Sequence, residues 1–296
     1  MSTVGAAGSG ARPSSVGWML EIFDVQRAHD AVFTGSSDGG VRRVVDGSQL
    51  LGQSIVAAAK SFPDRTVRSA HIVFVSPTDA ERPLDFRVET VRAGRQFATV
   101  IVTAAQGGQT RSTATVLLDH VWPDVIRHPR APAPAPGPDA AQQCAMPMVG
   151  RELRLVGIAD VNDPAEVGPA SIDAWLHYDP IPDRDDLRKA LLAHFTGHLS
   201  ISATMRGHAG IGTAQAHDTV STAVMTISVA FHEPVVWDDW LLYRHDSTSV
   251  GGGMSYARGQ VLTAAGDLIA SFAQEGMIRG YAPRDPSVGI EVAARL

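Results

Sequence analysis

The chain of 296 residues says the same thing twice, and that constrains its fold more than any other feature. Pro77 and Pro234 are 157 residues apart (234 − 77), and the turn glycines Gly108 and Gly266 are 158 apart (266 − 108). Around the glycines, "TAAQGGQTRSTATVLLD" and "VLTAAGDLIASFAQEG" both read as strand, Gly-centred turn, strand, the signature of a hairpin. The first copy predicts a helix over 48–62 and strands over 69–76, 84–91, 96–105 and 111–120. The second predicts a helix beginning near Asp186 and strands over 223–231, 240–245, 254–263 and 268–277. Each copy is one helix followed by an antiparallel meander, an α+β layer arrangement, and two copies in one chain can pair as a homodimer would.

The copies divide the chain. Residues 1–17, small and polar, read as a disordered tail without the apolar run of a signal peptide. Residues 18–127 form the first unit and 149–296 the second, the latter expected to carry the active site. Between them, 128–148 is rich in Pro and Ala, which favours an extended spacer over a packed element. It contains Cys144, the sole cysteine, so an intramolecular disulfide and a Cys-cluster metal site are excluded and a cytoplasmic setting is the default. The final Ala294, Arg295 and Leu296 loosely match a peroxisomal address of the Ser-Lys-Leu type, a minor alternative. A net charge of −6 gives no basic footprint for nucleic acid, and no apolar run is long enough to span a bilayer.

One residue breaks the pattern of its strand. Alternation puts Leu268, Ala270, Phe272, Gln274 and Ile278 on one face, and that face is the apolar one. A primary amide there needs partners for its donors and acceptor. The repeat offers an internal control, because Gln274 corresponds to Val116 in the first copy (274 − 158). A position that is apolar in one copy and an amide in the other is not dictated by the fold, so Gln274 is assigned to function.

Four segments carry a resemblance: "DDWLLYRHDSTS", "ARGQVLTAAGDLIASFAQEGMIR", "DGSQLLGQSIVAAA" and "RSAHIVFVSPTD". Together they resemble the bacterial acyl-CoA thioesterase II family and its peroxisomal relatives, over residues 20–279. The resemblance implies a double hotdog, in which each half wraps a sheet around a central helix and the two sheets join. It also implies hydrolysis of fatty acyl-CoA to free fatty acid and CoA by an Asp near the second central helix, a Thr or Ser on the next strand, and a Gln. Gln274 matches the last. The Asp slot falls on Gly197, between Thr196 and His198, and the hydroxyl slot on Val224, with Thr226 and Ser228 further along the same face. An arginine of the family is replaced by Met254, while Arg258 remains to carry CoA phosphates.

Thioester hydrolysis needs a positioned water, a proton acceptor and donors for the oxyanion, and no cofactor. Gln274 can orient the water without titrating. With the family's Asp absent, His198 is the nearest titratable candidate for the base, histidine being the side chain suited to that role near neutrality. Thr226 is a further polar contact, and Gly197, Ser228 and Arg258 are assigned to substrate, with backbone N–H groups near Gly197 as oxyanion donors. His194 and His198, four apart, face one way as metal ligands would, but no third ligand stands out and no metal is expected. "STSVGGG" lacks the Lys and following helix of a phosphate-binding loop and reads as a bulged strand connection. Two other readings compete: an acyl-CoA-binding protein that has lost its acid, and a hotdog enoyl-CoA hydratase using a His and an Asp. Hotdog sheets commonly assemble further, so a homo-oligomer is left open.

Overall fold

The computed structural model describes residues 15–39, 45–128, 135–144, 146, 148–237 and 239–281. Among the described residues, thirteen strands form one antiparallel sheet, built outward in both directions from a central seam. On one side of the seam stand β3 (Thr66–Phe74), β6 (Gln109–Asp119), β5 (Phe97–Gln106), β4 (Leu84–Ala93), β2 (Val32–Gly35) and β1 (Gln26–His29). On the other, in the matching order, stand β10 (Val220–Phe231), β13 (Leu268–Gly280), β12 (Met254–Thr263), β11 (Leu241–Gly251), β9 (Ser171–Tyr178), β8 (Arg151–Leu155) and β7 (Gln142–Gln143). This is a double hotdog.

Register confirms the duplication residue by residue. Val116 lies between Ala70 and Val100, and Gln274 lies between Ile227 and Ala257. All three pairs of positions differ by the repeat offset (227 − 70 = 157, 257 − 100 = 157, 274 − 116 = 158). At the seam, β3 pairs β10 from Val73 opposite Thr226 to Ser69 opposite Ala230, so the two sheets become one.

The helices fill the concave side, where alternate strand residues point. Helix α2 (Gly47–Ser61) is buried along most of its length, and Gly52 lets the Phe23 ring pack directly against it. Its counterpart is broken: α3 (Asp185–Phe195) stops, and α4 (Ser200–Arg206) restarts after a turn whose Leu199 is left-handed at φ 62°. The single helix expected from Asp186 is therefore two. Thr196, Gly197 and His198 donate backbone N–H groups three residues back, to Ala193, His194 and Phe195, which closes the end of α3 tightly.

Other expectations are corrected at their edges. Ser15 caps α1 (Val16–Phe23), so a tail ending at 17 would cut into a buried helix; residues 1–14 lie outside the described residues. The Pro/Ala segment is not only a spacer, because Trp175 Nε1 donates to Pro136 O at 2.9 Å and β7 pairs with β8. Cys144, half-buried, packs on the core, and burial raises its thiol pKa. "STSVGGG" is the end of β11, bulged between Ser247 and Ser249, and its hairpin turns at Gly252 and Gly253 with φ 61° and 78°. Among the described residues no helix is long and apolar enough to cross a membrane, and Ala294, Arg295 and Leu296 lie outside them.

Candidate active site between the two halves

Gln274 is 2% exposed, on the concave face as alternation predicts. Its Nε2 donates to Gly197 O at 3.1 Å, which satisfies a carbonyl left over at the broken end of α3. Its Oε1 is buried and, among the described residues, has no hydrogen-bond partner. The fold thus uses the amide's nitrogen and leaves its oxygen for another task. The rest of the Q-E-G block follows from the same geometry. Glu275 points outward, and Gly276 is inward where a Cβ would meet Ser255 Oγ at 2.7 Å and Ile201 Cγ1 at 3.0 Å.

Gly197 sits against the first half. A Cβ there would lie 2.7 Å from Ser48 Cβ and 3.0 Å from Ser48 Oγ, so no carboxylate side chain fits at this slot. A carboxylate nevertheless stands next to it. Asp46 caps α2: its Oδ1 accepts from Ser48 N at 2.9 Å and from Ser48 Oγ at 2.7 Å. Its Oδ2 faces His198 Nε2 at 3.1 Å and His194 Nε2 at 3.8 Å. Asp46 comes from one half and the histidines from the other.

Hydrogen-bond accounting sets the state of this pair. His198 Nδ1 lies 3.1 Å from His194 O, and a carbonyl only accepts, so Nδ1 carries a proton. In a neutral ring Nε2 would then present a lone pair to Asp46 Oδ2, which as a carboxylate also only accepts. A positive charge must lie between them. Burial works to raise the Asp46 pKa, but the charge and hydrogen bond of His198, the nearby His194 and the Ser48 hydrogen bond outweigh it and hold the carboxyl well below the usual range. His198 is therefore not the free neutral base that the sequence suggested, since both ring nitrogens face oxygen acceptors. The carboxylate at this junction is Asp46, whose side chain is still 36% exposed.

Two further histidines approach. His194 is 2% exposed, and burial first, then the charge on His198, pushes its pKa down to about 3. His245, 1% exposed and 3.0 Å from Ser200 Oγ through Nδ1, is pushed to about 3 by burial and by His198. Both are neutral at pH 7.

The remaining sequence candidates lie on the other face of the sheet. Thr226 Oγ1 donates to Glu275 Oε2 at 2.9 Å, and Ser228 Oγ lies 2.7 Å from His71 Nδ1, all exposed. The cause is a bulge between Val224 and Thr226, which reverses the parity of β10: Val224 packs on the core while Thr226 and Ser228 turn outward. Arg258 pairs with Asp246 at 3.1 Å and is 69% exposed, opposite Ala273 on the outer face. The N–H groups of Gly197 and His198 are consumed in closing α3, so they do not serve as oxyanion donors.

With this geometry in place, two family models match the chain, the acyl-CoA thioesterase N-terminal domain over residues 38–118 and the acyl-CoA thioesterase C-terminal domain over 127–278. "Acyl-CoA thioesterase 2" of Haemophilus influenzae is 28% identical, across 88% of this chain and 96% of that protein. Human "acyl-coenzyme A thioesterase 8" is 27% identical, across 79% of this chain and 80% of its own length. Among solved structures, acyl-CoA thioesterase II TesB2 from Mycobacterium marinum is similar at 27% identity with a TM-score of 0.75, covering 89% of this chain and 99% of that one.

Proposed function

Because this chain belongs to the acyl-CoA thioesterase family, whose C-terminal domain alone matches residues 127–278, we propose that it hydrolyses acyl-CoA thioesters with a carboxylate borrowed from its first half. The observation that carries the reading is Asp46, bonded to the Ser48 whose side chain closes off position 197. Gln274 Oε1 accepts a hydrogen bond from the attacking water, its orientation fixed by the Nε2 bond to Gly197. Asp46 takes the water's proton as the oxygen attacks the thioester carbonyl. Collapse breaks the C–S bond, and the proton returns to the departing thiolate, giving a free acid and CoA.

His198 orients Asp46 and keeps it ionised. A carboxylate held that far down is a persistent anion but a weak base, so the reading implies a slow enzyme rather than an inert one. Fatty acyl-CoA is the substrate class, and the cytoplasm, where one unpaired cysteine is no liability, is the setting we assign. The test is release of free thiol from acyl-CoAs of graded chain length by wild type and Asp46→Asn. Release by wild type that collapses in the variant supports the reading. Binding without release would make the chain a carrier, and loss of enoyl absorbance without thiol would make it a hydratase.

A further inference from the structure

The convergence of Asp46, His194 and His198 has a second use. We propose that these three side chains form a zinc-binding site that bridges the two halves and that zinc bound there slows thioester hydrolysis. The ligating atoms, one from each residue, all lie within 4.8 Å of one another, with Asp46 Oδ2 3.1 Å from His198 Nε2 and 3.8 Å from His194 Nε2. Zinc bound at about 2.0–2.2 Å to each ligand in a tetrahedron separates its ligands by about 3.3–3.6 Å, so the three side chains need close by no more than about 1.5 Å between any pair. Two histidines one helical turn apart with a carboxylate make a donor set that suits zinc and leaves a fourth position open. Asp46 and His198 remain partly exposed, at 36% and 15%, which leaves an ion a route to them.

The orientation of His198 supports the same conclusion independently. Its Nδ1 donates to a backbone carbonyl, the arrangement that fixes a ligating histidine with its Nε2 lone pair outward. The positive charge required between that lone pair and Asp46 can be a proton or a metal ion, and the two exclude each other. Zinc on Asp46 Oδ2 neutralises the carboxylate on which hydrolysis depends, so occupancy inhibits. His194 is less well supported: its Nδ1 is buried without a hydrogen-bond partner among the described residues. A missing outer partner costs roughly 10- to 100-fold in affinity, which makes the site a reversible one, with a Kd on the order of micromolar.

The proposal shares its site with the thioesterase reading but not its chemistry, and the experiment separates them. The full chain, freed of metal by chelation, is titrated with zinc chloride by calorimetry and with cobalt(II) by visible absorption. One equivalent of zinc bound at micromolar affinity, four-coordinate cobalt bands displaced by zinc, and a higher Tm with zinc are expected. His194→Gln and Asp46→Asn should each weaken zinc binding about tenfold or more. In the activity arm, micromolar zinc should slow thiol release by wild type, EDTA should restore it, and His194→Gln should lose this zinc sensitivity relative to its own metal-free rate. No binding at 100-fold above micromolar zinc, or binding undiminished in both variants, overturns the site. Zinc that occupies the site without slowing hydrolysis overturns the inhibition. A chain that releases no thiol at all would sink the thioesterase reading while leaving the binding arm to decide the site.

Discussion

The two halves share a sheet geometry and differ in what they point inward. In the second half one inward row reads His245, Gly259, Phe272 and the next reads Ser247, Ala257, Gln274. The same nodes of the first half hold Val88, Val102, Ala114 and then Val100 and Val116, with Thr90, beside Val100, exposed. Both sets close around a helix, so the architecture accepts valine where the second half places a histidine or an amide. The polar set is therefore not required by the fold, and on the proposed function it answers to chemistry. The helices differ in the complementary sense: α2 is continuous and offers a capped end bearing Asp46, whereas α3 and α4 are broken and offer a spare carbonyl and two histidines. Asp46 and the two histidines meet only where the halves join.

That contrast can be broken most severely at Asp46. Asp46→Asn keeps the Ser48 cap acceptor but removes the charge, and thiol release should fall about 10²- to 10⁴-fold, mostly in kcat. Exchanging residues between the halves comes next. Gln274→Val, importing the residue of the first half, should reduce kcat on the order of 10²-fold with acyl-CoA affinity little changed and folding intact by circular dichroism. The reverse exchange, Val116→Gln, buries an amide where the first half supplies only aliphatic neighbours, and should cost about 1–3 kcal/mol in denaturant unfolding while activity persists.

Acid should find the second half first. His194 and His245 titrate at about 3 in the folded chain against 6.5 when exposed, so between those values the unfolded chain binds protons that the folded chain does not. Stability is then fully present above about pH 6.5 and lost as pH falls, by up to about 1.4 kcal/mol per pH unit for each histidine. Asp46, held low, adds to the same trend at the acid end. Urea unfolding at pH 7 and pH 5.5 measures the slope, which His245→Val should reduce. The smallest effect is expected on the outer face: Thr226→Val and Ser228→Ala should change thiol release less than about twofold, since exposed hydrogen bonds there contribute little.

The meander was legible because alternation repeats every two residues, and so was the inward, buried placement of Gln274 on it. Asp46 was hidden by being two things at once. An Asp ahead of "GSQLLGQ" reads as a helix cap, and it is one; its other oxygen meets His198 only through tertiary folding, across more than half the chain. Thr226 and Ser228 were misplaced by one inserted residue, since a bulge reverses every facing beyond it and leaves no local signature in "STAVMTIS". The break between α3 and α4 was invisible for a similar reason, as the apolar period runs on through "LLAHFTGHLSISATM" while the backbone turns at Leu199.

The seam between β3 and β10 also sets a timetable. Its pairs join residues far apart along the chain, such as His71 and Ser228 at a separation of 157. At about 5–20 residues per second, a ribosome needs roughly 8 to 30 seconds to deliver the second strand after the first. Until then β3 is an open edge with Val73 and Val75 on view, a template for any passing strand. Closing so long a loop comes late in folding, so the nascent first half waits longest at the place where the two halves will meet, and chaperone demand should concentrate there.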